Sequence, residues 1–213
     1  MEQYTKDEIN FSGFLTAYRT LQGVDKQDLV KGIYCPSMMG RVECGERLPK
    51  KLERDRLVAR LGVSGEGYED YLSMTEYEEW VLRQDILESI EEKNLEKLEE
   101  QLKRYASTEE MDNVEKQFLE TLRFMLLKLK GASEEELCKT IELAVSYTIP
   151  DVNDGFPEKM LLADQEINLL IEYVNLHKVN RDEKECREWK LARYKDIFAY
   201  IDNSYMDDIG KVK

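Results

Sequence analysis

A chain of 213 residues is long enough for one large domain or two small ones with a real core. Its 42% hydrophobic and 36% charged content reads as a globular protein with a heavily solvated surface. The net charge of −14 argues against nucleic acid or anionic membrane meeting the surface as a whole. With only 11 Gly and 4 Pro, a turn-rich β fold is disfavoured and long helices are favoured.

The charge is unevenly spread. Residues 11–62 carry ten Lys and Arg against six Asp and Glu, so a basic segment precedes a strongly acidic remainder. That asymmetry assigns any phosphate contact to the first segment. No run approaches the roughly 20 apolar residues that span a bilayer. The opening MEQYTKDEIN is too acidic and polar for a secretory signal. Cys35, Cys44, Cys138 and Cys186 show neither CxxC nor zinc-knuckle spacing, and the single histidine, His177, leaves little for histidine-based metal sites. A cytoplasmic location with free thiols is expected, with no cofactor and no metal.

In chain order, Phe11–Gln22 places Phe11, Phe14, Leu15, Tyr18 and Leu21 at helical spacing and stops at Gly23. Asp25 is a suitable N-cap for a short helix over 26–33 that buries Leu29, Val30 and Ile33. Pro36 opens a third helix with Met39 and Val42 inward, and a fourth follows Leu48-Pro49 to about Leu61. Gly40 inside the third helix implies a close crossing with the preceding one. Short helices with glycine punctuation and a basic outer face describe a helix-turn-helix domain.

The stretch from Leu29 to Pro49 carries a resemblance. A small-residue turn is followed at fixed spacing by Met39-Gly40-Arg41-Val42-Glu43, then Gly45, Arg47 and Pro49. This resembles the phage-repressor (XRE) type of helix-turn-helix, and Leu61-Gly62-Val63-Ser64 matches its close. The resemblance covers about residues 8–72. It implies that Arg19 pairs with Glu43. It also implies that Pro36–Glu43 is a recognition helix presenting Pro36, Ser37, Met38 and Arg41 to a major groove. Arg41 would then contact guanine, while Lys26, Arg47, Lys50 and Lys51 would hold phosphates. The sequence departs from the pattern at Lys26, where the family usually has Gln. Pro36 lacks a side-chain donor, and Met38 offers only apolar contact.

After Gly67 the chain reads as helical almost throughout. Tyr68–Leu72 suggests a short closing helix. A long helix from Thr75 carries Tyr77, Trp80, Val81, Leu87 and Ile90, and a partner after Asn94 carries Leu95, Leu98, Leu102 and Tyr105. A second pair spans 111–130 and 133–148, with Gly131 as stop and Ser133 as N-cap. Ile149–Pro157 is the long loop signal. A third pair covers about 162–179 and 182–205, with a further helix starting at Met206.

This describes an all-α chain: a five-helix helix-turn-helix domain over 1–72, then an α-solenoid of antiparallel helix pairs over 73–213. A four-helix bundle with added helices is the competing architecture. In the third pair, Gln165, Asn168, Glu172 and Asn175 form one polar face opposite Ile167, Leu170, Ile171 and Val174. Amides both donate and accept, which suits peptide backbone, and Gln117, Thr121 and Phe124 would continue that face on the neighbouring repeat.

A phage-repressor-type domain followed by tetratricopeptide-like repeats resembles the Rgg and PlcR type of peptide-pheromone receptor regulators, although three pairs are fewer than such receptors usually carry. The resemblance implies a cytosolic, homodimeric transcription regulator that binds double-stranded DNA and a short signalling peptide. The alternative is a helical-repeat interaction scaffold whose helix-turn-helix no longer reads DNA. No phosphate-binding glycine loop, metal-ligand cluster or nucleophile elbow points to an enzyme.

Overall fold

The computed structural model describes residues 11–63, 72–108, 110–150, 152, 160–177 and 183–211, without the side chains of 204–211. Among them the fold is all-α, with ten helices and no strand. No described helix is long and apolar enough to cross a membrane. Most of the closing helix expected at Tyr68–Leu72 and of the loop signal at Ile149–Pro157 lies outside the described residues.

The first four helices are α1 (Phe11–Leu21), α2 (Lys26–Val30), α3 (Pro36–Glu43) and α4 (Lys51–Arg60). Their core is Phe11, Leu15, Leu29, Val30, Ile33, Met39, Val42, Leu57, Val58 and Leu61, most of the apolar positions that the helical spacing picks out, although Leu21, at the end of α1, is exposed. Pro36 opens α3 at its first turn, where a missing N–H costs nothing. Gly40 makes no close crossing: a Cβ there would meet nothing within 4 Å. Gly32 does. Its φ is +79°, and a Cβ would lie 2.0 Å from the Thr148 carbonyl oxygen. The turn between α2 and α3 is therefore pressed against the end of a helix more than a hundred residues later.

Six helices follow: α5 (Met74–Glu91), α6 (Leu95–Ala106), α7 (Asn113–Lys130), α8 (Glu134–Thr148), α9 (Asp164–Leu176) and α10 (Glu183–Lys211). Each packs on its neighbours in the chain, α5 on α6, α6 on α7 and so on to α10, which is the connectivity of stacked hairpins. Local chemistry sets the boundaries. Ser73, Asp112 and Ser133 each cap a helix and are answered by Glu76, Glu115 and Glu136 at the third position. Gly131 ends α7 in the left-handed conformation.

Two expectations need correction. Tyr77, Trp80 and Leu87 are exposed, and α5 instead buries Leu82, Ile86 and Ser89, with Arg83 beside them. Apolar residues surround α5, so periodicity offers two seams. The narrower one packs against Leu98, Leu102 and Tyr105 of α6. The separate helix expected at Met206 is also absent, because α10 runs on through Lys211.

Candidate nucleic-acid interface and groove

The outward side of α3 is built by burying its other side. Met39 and Val42 are fully buried against α1 and α2, leaving Pro36, Ser37 and Arg41 exposed and Met38 half-buried. A lock fixes the far end of α3. Arg19 Nε donates to Glu43 at 2.7 Å, the same guanidinium donates to the Val24 carbonyl at 2.6 Å, and Lys26 also pairs with Glu43. Burial pushes the Glu43 carboxyl up, but Lys26 and Arg19 outweigh it and leave it below its ordinary value. At the near end the Ser37 hydroxyl lies 3.0 Å from Cys35 Sγ, and that contact lowers the thiol's pKa.

The cations expected to hold phosphates all face carboxylates of the chain. Lys26 meets Glu43, Arg47 meets Glu53 at 3.3 Å, Lys51 meets Asp55 at 2.5 Å, and Arg41 itself lies 3.6 Å from Glu46. Arg47 also lies over the Tyr34 ring, 5.4 Å from its centroid. Lys50 departs furthest from expectation. It turns toward the helix pairs, donating to Glu115 at 2.8 Å and to the Glu110 carbonyl at 3.1 Å. Burial lowers the Lys50 ammonium, but the Glu115 hydrogen bond and charge more than compensate and raise it.

Sequence reasoning missed the other use of the basic stretch. Arg54, Arg56 and Arg60 of α4 are buried rather than on an outer face. Arg60 forks onto Glu166 of α9 at 2.9 and 2.7 Å and also donates to the carbonyls of Leu29 and Lys31. Arg56 lies 3.1 Å from the same carboxylate and donates to Gln117. Gln117 in turn donates to Thr148, whose hydroxyl donates to Glu166 at 2.6 Å. Burial raises the Glu166 carboxyl, yet Arg60 and Arg56 hold it down at about 2. Arg54 pairs with Glu76 of α5 at 3.0 Å. Helical spacing sets Arg54 in the arc of Leu57, Val58 and Leu61, which was the available signal for it; Arg56 and Arg60 fall on the opposite side, where spacing marks no core.

Between α4, α5, α7 and α9 lies a groove of about 470 Å³. Its apolar walls are Leu52, Leu87, Phe118, Leu122, Phe124, Met125 and Leu169. Gln165, Asn168, Thr121, Asp55, Lys128 and Glu172 supply polar groups. Lys128 pairs with Glu172 at 2.8 Å and sits over the Phe124 ring. The polar stripe of α9 thus meets Thr121 and Phe124 of α7. Two of its expected members do not line the groove. Gln117 is fully buried in the Arg56–Thr148 network, and Asn175 accepts a hydrogen bond from Tyr194 of α10.

No protein-family model matches the sequence, and no curated protein matches it. Among solved structures, a similar chain is that of the crystal structure of Bacillus thuringiensis PlcR in complex with the peptide PapR7 and DNA. The likeness has 14% identity and a TM-score of 0.43, and it covers 92% of this chain and 66% of that one. This chain therefore spans a little under two thirds of the PlcR chain.

Proposed function

We propose that this chain is a sequence-specific DNA-binding transcription regulator of the phage-repressor type. Residues 1–72 form its reading head, and residues 73–213 form a helical-repeat domain that dimerises and takes a short peptide in its groove. The observation that carries this reading is α3. Pro36, Ser37 and Arg41 stand exposed on a helix whose opposite side is fully buried and whose end is pinned by the Arg19–Glu43 lock. Arg41 supplies a planar donor pair for guanine, and Ser37 either donates or accepts. Lys26, Arg47 and Lys51 border the helix and exchange carboxylate partners for phosphate as the duplex arrives. A homodimer sets two such helices about one turn of DNA apart.

The groove supports the second part of the reading. Its apolar floor and its Gln165 and Asn168 amides suit side chains and backbone of an extended peptide, and Lys128 offers a cation to a carboxylate. Leu52, Asp55 and Arg56 place α4 in the groove wall, so an occupant touches the helix that also anchors the reading head.

The test is fluorescence anisotropy with duplexes from the chain's own upstream region across a salt series. Binding should weaken steeply with salt, and Arg41→Ala should cost about 1–3 kcal/mol at its operator position. Absence of binding at low salt overturns the proposal. The pairing of every candidate phosphate contact with a carboxylate favours the scaffold as second reading. Arg41→Glu separates the two, because it leaves a scaffold intact and abolishes a regulator. Lys50 is unsuited to that test, since its reversal breaks the Glu115 contact.

A further inference from the structure

Outside both surfaces, three side chains of ligating chemistry converge where the second and third helix pairs meet. Cys138 and Glu142 stand one turn apart on α8, and His177 caps the end of α9. One ligand atom from each lies within 4.8 Å of the others. Glu142 Oε1 is 3.3 Å from His177 Nδ1 and 3.5 Å from Cys138 Sγ. We propose that Cys138, Glu142 and His177 form a zinc site that clips the third helix pair to the second.

Three features of the geometry point to an ion. Tetrahedral zinc with ordinary bond lengths separates a nitrogen and an oxygen ligand by about 3.4 Å and a sulfur and an oxygen ligand by about 3.6 Å. The two observed spacings fall within about 0.2 Å of these values, the sulfur and an imidazole nitrogen lie within 4.8 Å of each other, and the hydrogen bond that Cys138 Sγ donates to Glu142 Oε1 is the contact an ion would replace. The His177 Nδ1 atom is hidden from solvent and makes no hydrogen bond, although Glu142 lies so near. A buried ring nitrogen that faces a carboxylate oxygen with no hydrogen bond between them is a pair that one cation can bridge as two ligands. The imidazole is also held in orientation, with the Trp189 ring 4.6 Å and the Tyr173 ring 4.9 Å from its centroid. That fixed orientation lowers the entropy lost on binding.

The chemistry selects the metal. A thiolate, an imidazole and a carboxylate form a mixed soft and hard set that suits zinc better than calcium or magnesium, which take oxygen ligands. The thiolate and carboxylate balance the charge of a divalent ion, and three protein ligands leave a fourth position for water. The sequence alone suggested no metal, because neither Cys138-x3-Glu142 nor a lone His177 matches a zinc spacing. Convergence of α8 with the end of α9 assembles the set.

The test titrates Co²⁺ into the metal-free full chain and into a C35S/C44S/C186S variant whose one thiol is Cys138. Both should develop a thiolate-to-cobalt charge-transfer band that saturates at one ion per chain and disappears when Zn²⁺ is added. Cys138→Ser should abolish the band, and His177→Gln should weaken Co²⁺ binding at least tenfold, with far-UV circular dichroism reporting that the helices persist. Absence of a band in the single-thiol chain with its helices intact overturns the site, as does an undiminished band in either ligand variant.

Discussion

The two sides of the amino-terminal module use the same residue types in opposite ways. On the α3 side, Arg41 is exposed and its nearest carboxylate, on Glu46, is exposed as well. Water screens that pair, and pairs of this kind contribute about 0–1 kcal/mol. On the α4 side, Arg60 and Glu166 are fully buried and share two hydrogen bonds, with backbone carbonyls saturating the rest of the guanidinium. An arginine there joins the amino-terminal helices to α9. Counting cations along the sequence merges these roles, whereas burial separates them: the Arg41 pair stands in solvent and the Arg60 pair is committed to the fold.

The sharpest way to break this contrast is to remove one partner of the buried pair. Glu166→Ala should destabilise the chain by about 3–5 kcal/mol in urea unfolding, because it strands Arg60 and Arg56 without their counter-charge. Arg41→Ala on the other side should leave the midpoint nearly unchanged.

Acid sharpens the same point. Glu166 has a folded pKa of about 2 against an ordinary 4.5, so its contribution is fully present above about pH 4.5 and is lost as pH falls through 2. Stability curves of the wild type and Glu166→Gln should therefore diverge as pH rises from 2 to 4.5 and run parallel above it. Parallel curves throughout would show that the carboxylate is not held down by its arginines.

The two glycines extend the comparison to the backbone. Gly32→Ala should cost more than about 2 kcal/mol, because a methyl group meets the Thr148 carbonyl and the residue must hold a positive φ. Gly40→Ala, on the open side of α3, should gain up to about 1 kcal/mol by helix propensity. Chemical denaturation of both variants reads the opposite signs directly.

Much of the fold was legible because local chemistry and the apolar repeat agree. Pro36, Gly131, Ser133 and the Met39–Val42 spacing mark boundaries and inward faces that the structure keeps. Three of the four stripe residues, Gln165, Asn168 and Glu172, reach the groove because helical spacing alone places those residues on one face. Where a helix carries apolar residues around its girth, as α5 does, periodicity allows two seams and the partner α6 selects one. Similarly, a surface amide and a buried one look identical in sequence, so the pattern sets Gln117 on the polar face although it is fully buried.

The sequence by itself determined that this is a chain of helices, where most of them start and stop, and which residues of α3 turn outward. Those outcomes depend on capping, backbone freedom and spacing within a few turns. Tertiary structure alone decided that Arg60 meets Glu166, that Gly32 touches Thr148, and that ligand atoms of Cys138, Glu142 and His177 come within 4.8 Å of one another. Each of these joins helices tens of residues apart, and the energy of such a contact depends on burial and mutual distance, which no local spacing records.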